Sequence, residues 1–238
     1  ISAASIMIKL LNNDNRKYSV SIVQQLNRAV LQQLASEPYN CFIFTDIGSG
    51  VISDIEDVLK GRNVFVLDHH SIEDEAKGIV FVNPHTCGID GGKEISGAGV
   101  VFKFACAVDR GMEELAHIAI IGAIGDLQER DGFSRLNSEI LKTAVEKGKI
   151  KVTKGLRLFG AQTKPLHKAL EYCTDPYIPG VSGSESGAIQ FLYQIGIEPK
   201  NGNDWKKIVH LDDEDMKRLV TGIIMKRLNE ANPDDVLG

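Results

Sequence analysis

The chain has 238 residues, of which 43% are hydrophobic and 25% charged, with a formal net charge of −5. This composition excludes wholesale disorder and supplies enough apolar residues for one large domain or two smaller ones. The net negative charge excludes a surface coated with basic patches, although a local basic groove could still bind nucleic acid. No apolar run reaches the ~18 residues of a membrane span and no signal peptide is visible, so we predict a cytoplasmic protein with no membrane partner.

Short helices alternate with short apolar strands in the first half of the chain. The predicted helices cover 1–11, 26–34 and 51–59, and the predicted strands cover 18–23, 41–44, 64–67 and 79–82. This alternation is typical of a parallel sheet with helices on both faces. We therefore predict an α/β domain over residues 1–150.

The second half of the chain is predicted to be mostly helical. Its predicted helices cover 134–147, 165–172, 185–195 and 212–229, and a short strand is predicted over 150–154. We interpret residues 151–238 as a helical insertion or linker region that follows the α/β domain.

Three chemically active residues, Asp68, His69 and His70, follow the apolar run 64–67 directly. A continuous run of this kind is typical of a strand buried on both faces of a parallel sheet. Ligands bind beyond the carboxyl ends of such strands, where these three side chains would lie. The alternative is a solvated turn in which Asp68 caps the next helix and the histidines have no role.

Two further aspartates end apolar segments in the same way. Asp46 follows the strand 41–44 and precedes Gly48-Ser49-Gly50, whose glycines allow a sharp turn and a close approach to a ligand. Asp126 ends the Gly- and Ala-rich segment 119–125, which predicts a helix pressed tightly against the sheet. An ordinary helix cap is the alternative for Asp46, whereas a charge at the end of so apolar an element is costly unless it is paired or bound to metal.

A second glycine-rich helix is predicted to start near Gly97. Its first turn could offer backbone amides to an anion, and a simple helix start is the alternative.

These carboxylates and imidazoles form an oxygen and nitrogen ligand set without thiolates. Such a set suits Mn²⁺ or Mg²⁺, and the imidazole nitrogen favours Mn²⁺. Paired ions ~3.5–4 Å apart activate water in phosphoester hydrolysis. The residues alone therefore predict a metal-dependent hydrolase of phosphate compounds.

The order Thr45-Asp46, Asp68-His69-His70 and Gly125-Asp126 resembles the DHH phosphoesterase superfamily. The segments 21–25, 44–50, 121–129 and 155–160 are similar to archaeal RecJ-like nucleases, including the GINS-associated nuclease of the archaeal replisome. The resemblance implies a Mn²⁺-dependent (or Mg²⁺-dependent) exonuclease that acts on single-stranded DNA or RNA in replication or repair, with the GINS complex as a partner.

The resemblance also implies roles for single residues. Asp46 would bridge two metal ions, and His69 and Asp126 would be ligands of one ion. His70 would contact the scissile phosphate and assist the leaving oxygen. Asp68 would orient His69 as a carboxylate behind the metal ligand.

Two parts of the family pattern are expected outside the sequence. The first motif, of Asp-x-Asp-Gly type, would precede Ile1 and supply ligands of the second ion. The DHH-associated second domain would follow Gly238. A two-metal site is therefore expected in the intact protein, and this fragment by itself is predicted to have a half-built site.

Two other functions stay open at this point. One is a replisome scaffold bound to GINS with little catalysis, and the other is a small-molecule phosphoesterase with the same ligands. Six basic residues of the second half could form a strip for single-stranded nucleic acid, or simply a solvated helix face. These are Lys206, Lys207, Lys217, Arg218, Lys226 and Arg227.

Overall fold

The computed structural model describes residues 1–129, 132–152, 156, 158, 160 and 163–232. The chain divides into two compact units, Ile1–Val152 and Thr153–Gly238. The first unit contains the helices α1 (Ser2–Asn13), α2 (Arg28–Ala35), α3 (Ile52–Val58), α4 (Gly97–Val108), α5 (Ala116–Gly125) and α6 (Arg135–Glu146). Its strands are β1 (Cys41–Thr45), β2 (Asn63–Leu67) and β3 (Val80–Val82).

The three strands form one parallel sheet in the order β1-β2-β3. Leu67, the last residue of β2, pairs with Thr45 at the end of β1 and with Val82 at the end of β3. All three strands therefore end at one edge of the sheet. The predicted α/β fold with a parallel sheet is confirmed.

Alternate residues of the strands pack on opposite faces of the sheet, as the two-residue period of a strand requires. Phe44 and Val66 belong to an apolar cluster that includes Leu31 of α2 and Ile55 of α3. Leu67, one residue further along, belongs to a second cluster that is formed mainly by α1, α4, α5 and α6. Both faces are covered by helices, as predicted.

The helix α5 packs against other helices rather than on the sheet, which corrects the prediction for 119–125. Its neighbours are α1, α4 and α6, whereas α1 and α4 contact the strands. The helices α4 and α5 approach each other closely at Gly122, where an added Cβ atom would lie only 2.4 Å from the Cβ atom of Ala98. Small residues therefore set the helix spacing here, and the sheet lies one layer further away.

The predicted strand over 18–23 is wrong. These residues are irregular, and Ile22 is 82% exposed. A strand requires a hydrogen-bonded neighbour, and none of the described strands pairs with this segment. An alternating pattern of apolar and polar residues does not form a strand without such a neighbour.

The second unit is built from helices, as predicted. It contains α7 (Leu166–Glu171), α8 (Glu185–Gln194) and α9 (Asp213–Lys226), with the two-residue strands β4 (Lys200–Asn201) and β5 (Asp204–Trp205). Its core includes Leu170, Phe191, Leu219 and Ile223. The predicted strand over 150–154 is not seen in 150–152, and residues 153 and 154 lie outside the described residues, as does most of the segment 155–160. Within the described ranges, no helix has the length and apolarity to cross a membrane.

His167 is a buried histidine of this second unit. Its ring packs on the Trp205 ring with 4.0 Å between centroids, and its Nε2 lies 3.5 Å from Glu185 Oε1. Burial lowers the pKa of His167, with a smaller contribution from Lys168, while Glu185 and Glu171 oppose the change. The neutral imidazole is therefore the form that the folded unit favours.

The glycine contact between α4 and α5 predicts a difference between two matched substitutions. Gly122→Ala should lower the free energy of unfolding by about 1–3 kcal/mol, because the added methyl group overlaps a residue fixed in a helix. Gly125→Ala, in the same helix, adds a methyl group with nothing within 4 Å and should leave stability unchanged or slightly raised. Urea unfolding followed by circular dichroism measures both, and equal stability of the two variants would contradict this packing.

The buried His167 predicts a loss of stability in acid. The pKa of His167 is lower in the folded unit than in the unfolded chain, where it is about 6.5, so the unfolded state binds more protons as the pH falls below 6.5. The free energy of unfolding should therefore decrease in that range. Fluorescence of Trp205, the single tryptophan, reports unfolding of this unit. In His167→Gln, the free energy of unfolding should depend less on pH than in wild type. His210→Gln, at an exposed position, is the control and should keep the wild-type dependence. The same dependence on pH in both variants would refute this prediction.

Candidate metal centre

Asp46 and Asp68 are the first residues after β1 and β2, at the same edge of the sheet. The Asp46 amide donates a hydrogen bond to the Leu67 carbonyl oxygen over 2.9 Å, and the Asp68 amide donates to the Val82 oxygen over 3.1 Å. These bonds continue the pairing of the sheet by one residue. Both aspartates are therefore fixed at the position where open α/β sheets bind ligands.

Asp46 is held in a left-handed backbone conformation with φ 63°, which Asp tolerates better than most residues that carry a side chain. Its carboxylate lies against Gly97, the first residue of α4, where a Cβ atom would be 2.0 Å from Asp46 Oδ1. Glycine leaves the room that this carboxylate needs, and the positive end of the α4 dipole favours its charge. The helix start itself is an ordinary cap, since Ser96 Oγ accepts from the Gly99 amide over 3.1 Å.

Asp68 is buried, with 1% of its surface exposed, and its carboxylate accepts several hydrogen bonds. Oδ2 accepts from the Ser49 amide over 2.9 Å, and Oδ1 accepts from the His69 amide over 2.8 Å and lies 2.7 Å from His70 Nδ1. Burial raises the pKa of Asp68, but the hydrogen bonds from Ser49 and His70 outweigh it and hold the pKa below its ordinary value. Asp68 is therefore an anion at neutral pH, and the proton between it and His70 belongs to the imidazole.

His70 is an oriented but accessible imidazole, with 61% of its side chain exposed. Asp68 fixes its Nδ1, so Nε2 is the nitrogen left for other contacts. Its carbonyl oxygen accepts from the buried amide of Asn83 over 2.9 Å, and the same Nδ2 also donates to Ser49 Oγ. The carboxylate of Asp68 thus orients the ring of His70, whereas it was expected to orient that of His69.

His69 is buried, and a backbone carbonyl orients its ring. Nδ1 lies 2.7 Å from the Gly91 oxygen, and because a carbonyl can only accept, Nδ1 is assigned the proton. Nε2 then lies 3.3 Å from Asp46 Oδ1 and 3.8 Å from Asp126 Oδ2. Burial lowers the pKa of His69, but the bonds to Asp46 and Gly91 and the charge of Asp126 outweigh it and raise the pKa to about 9.

Asp126 directly follows the last residue of α5, and 34% of its side chain is exposed. Burial, opposed by His69 and reinforced by Asp46, raises the pKa of Asp126. Two carboxylates that face one imidazole nitrogen repel each other, so this arrangement favours a cation between them. The structure thus brings all five predicted site residues together.

The side chains present fit a divalent metal ion. Asp46, Asp68, His69 and His70 each offer a ligand atom, and these atoms lie within 4.8 Å of one another. The set contains oxygen and nitrogen donors without a thiolate, which suits Mn²⁺ or Mg²⁺. Asp126 lies outside that tight group but faces His69 within it. The geometry therefore supports a metal-binding Asp/His site at this edge of the sheet.

Four residues that support the site were not predicted as site residues. Ser49 belongs to the Gly48-Ser49-Gly50 segment that was recognised only as a sharp turn, and Asn83 follows β3 and donates to Ser49 Oγ. Gly91 approaches so closely that a Cβ atom on it would be 2.0 Å from the His69 carbonyl oxygen, and Gln128 donates to the Gly91 oxygen over 2.9 Å. Only the turn residues carried a local signal, because these contacts join segments far apart in sequence.

Two of the six residues in the predicted basic strip of the second unit, Lys206 and Arg218, are paired with acidic groups. Lys206 Nζ lies 3.5 Å from Asp215 Oδ2, and Arg218 pairs with Glu214 and Asp215. Arg227 is buried and donates to the Asn232 carbonyl oxygen. Pairing of this kind is typical of a solvated helix face, which was the alternative to a nucleic-acid strip.

Each of the two units contains a region that matches a known protein family. Residues 1–125 match the DHH family, N-terminal domain, and residues 158–237 match the DHH-CID domain. MJ0831 of Methanocaldococcus jannaschii, described as an uncharacterized protein, is 36% identical over 234 residues. The match covers 95% of this chain and 51% of that protein, so the chain spans about half the length of this relative.

Two solved structures of RecJ are similar to the chain. A crystal structure of exonuclease RecJ bound to manganese has a TM-score of 0.51 at 18% identity, over 79% of this chain and 46% of that chain. RecJ from Thermus thermophilus in complex with Mn²⁺ has a TM-score of 0.49 at 17% identity, over 98% and 36% of the two chains. The first of these likenesses shows a shared fold, as the resemblance to RecJ-like proteins predicted. The chain belongs to the DHH family, because more than half of the chain, residues 1–125, matches the N-terminal domain of that family.

Proposed function

We propose that this protein is a metal-dependent exonuclease that hydrolyses phosphodiester bonds of single-stranded DNA or RNA, with Mn²⁺ preferred over Mg²⁺. The observation that carries the proposal is the group of Asp46, Asp68, His69 and His70 ligand atoms within 4.8 Å, with Asp126 beside it. The DHH family match and the RecJ-like fold support phosphoester hydrolysis. The imidazole in the donor set, and the manganese bound in a RecJ of the same fold, support Mn²⁺.

The proposed metal ligands are Asp46, His69 and Asp126. His69 presents Nε2 toward both carboxylates because its Nδ1 is held by Gly91. A divalent ion bound there would supply an activated water molecule and would neutralise charge on the phosphate.

His70 is the proposed catalytic residue that touches substrate. Asp68 holds its Nδ1, so the exposed ring can direct Nε2 at the scissile phosphate and provide a proton to the leaving oxygen. Asp68 acts through this contact, as a buried carboxylate that fixes the direction of the His70 ring.

The buried charges favour an enzyme over a scaffold. Asp46 and Asp126 both face one imidazole nitrogen of the buried His69, and two like charges this close lower stability unless a cation lies between them. A protein that only docks other proteins would gain nothing from keeping them together at one sheet edge.

Nuclease activity is the first test of this function. With Mn²⁺, the full-length protein should shorten end-labelled single-stranded DNA or RNA stepwise, and a label at either end reveals the polarity. His70→Ala should lower kcat by about 10²–10⁴-fold because a general acid is lost. His69→Ala should weaken Mn²⁺ binding itself, measured by electron paramagnetic resonance of the free ion. The exposed His210→Ala is the matched control.

The possible outcomes separate the alternatives. An inactive protein that binds Mn²⁺ would overturn the nuclease proposal and leave a GINS-bound scaffold or a small-molecule phosphoesterase. Full activity in the Asp68→Ala, His69→Ala double variant would show that the active site lies elsewhere.

The close contact at Gly97 predicts a metal-binding defect from a single methyl group. Gly97→Ala should displace the Asp46 carboxylate, because its Cβ atom would be 2.0 Å from Oδ1, and should weaken Mn²⁺ binding by about 10–100-fold. Gly78→Ala is the matched control, since its Cβ atom would meet nothing nearer than 3.9 Å. Titration of each variant with Mn²⁺ measures the effect. Wild-type affinity in Gly97→Ala would show that Asp46 is not a ligand.

A further inference from the structure

The carbonyl oxygen of Gly91 accepts hydrogen bonds from two buried side chains. His69 Nδ1 lies 2.7 Å from it, and Gln128 Nε2 donates to it over 2.9 Å. The first bond decides which nitrogen of His69 is left to face Asp46 and Asp126. The position of this one oxygen therefore controls the direction of the proposed metal ligand.

Gln128 is itself oriented by a buried partner on α6. Its Oε1 accepts a hydrogen bond from Asn137 Nδ2 over 2.7 Å. Asn137 is fully buried, and its backbone amide donates to the Glu94 carbonyl oxygen over 3.0 Å. A reversed Gln128 side chain would place Oε1 against the Gly91 oxygen, and two acceptors repel each other. The contacts therefore leave one orientation of the Gln128 amide, with Nε2 toward Gly91.

The same turn of the chain carries Gln128 and Asp126. The helix α5 ends in a turn in which Leu127 is left-handed with φ 56°, and the Gln128 amide donates back to the Ala123 carbonyl oxygen over 3.0 Å. This turn aims Asp126 at the Nε2 side of the His69 ring and Gln128 at the acceptor on its Nδ1 side. The end of α5 thus acts on both nitrogens of the imidazole, directly through Asp126 and through the Gly91 oxygen for Gln128.

We propose that Gln128 is a positioning residue of the metal centre, which fixes the tautomer and the direction of His69 through the Gly91 carbonyl oxygen. Asn137 holds Gln128 in the orientation that this requires. The inference rests on the proposed function, in which His69 binds the ion. Residues behind a metal-bound histidine have this role in general, and their loss weakens metal binding by about 10–100-fold.

A purely structural role for Gln128 makes a different prediction. If Gln128 only filled hydrogen bonds in the core, its replacement would lower stability and leave metal affinity and the imidazole tautomer unchanged. The test therefore needs a readout on the ring of His69, in addition to affinity and stability.

The experiment compares Gln128→Met and Gln128→Glu with wild type in the full-length protein. Gln128→Met removes both polar atoms at similar length, and Gln128→Glu keeps the shape and an oxygen for Asn137 but loses the Nε2 donor. Mn²⁺ affinity is measured by electron paramagnetic resonance of the free ion. Nitrogen-15 NMR of labelled histidines in the Mg²⁺-loaded protein reports which nitrogen of His69 carries the proton. Gln32→Met, at an exposed position of α2, is the control.

Both Gln128 variants should bind Mn²⁺ about 10–100-fold more weakly, and the Nδ1–H signal of His69 should shift or be lost. The control should match wild type. If the wild-type protein binds no Mn²⁺, the proposed function fails. If it binds Mn²⁺ and a folded Gln128 variant keeps both the affinity and the signal, the role of Gln128 is refuted while the proposed function stands.

Discussion

The register between β1 and β2 is the constraint on which the candidate site depends. Thr45 and Leu67 are paired, so the residues that follow them, Asp46 and Asp68, leave the sheet side by side. The backbone of Asp46 is still bonded to the Leu67 oxygen, and that of Asp68 to the Val82 oxygen. A slip of one residue would turn the Phe44 and Val66 side chains away from the apolar cluster formed with α2 and α3. The packing of the core therefore also fixes the position of the acidic residues.

Close backbone approaches complete the site around this edge. Gly97 leaves room for the Asp46 carboxylate, and Gly91 lies against the backbone of His69. At Gly97 a side chain would overlap the carboxylate of the proposed ligand Asp46, and at Gly91 it would overlap the backbone carbonyl group of the proposed ligand His69. The glycines at these positions therefore serve the geometry of the site, whereas Gly122 serves the packing of α5 on α4.

The carboxylates of the site are stabilised in two different ways. Asp68 is buried but saturated with hydrogen bonds, and it remains an anion that orients His70. Asp46 and Asp126 both face the Nε2 atom of His69, so their negative charges are left to a proton on the imidazole or to a bound cation. This division explains how neighbouring carboxylates can have different tasks within one site.

The sequence by itself determined the α/β class, most helix and strand positions, and the five residues of the candidate site. These features depend on local patterns: apolar runs that end in acidic residues or histidine, and glycines that mark turns. The strand predicted from the sequence over 18–23 is wrong, because a strand also needs a hydrogen-bonded neighbour, which an alternating apolar pattern does not supply. Only the tertiary structure decided that Asp68 orients His70, that Gly91 orients His69, and that Gln128 and Asn137 stand behind that carbonyl. The two bonds to the Gly91 oxygen join residues 22 and 37 positions apart, so they exist only once the helices have packed around the sheet. Asp68 and His70 are only two positions apart, and their contact depends on the conformation of the chain after β2.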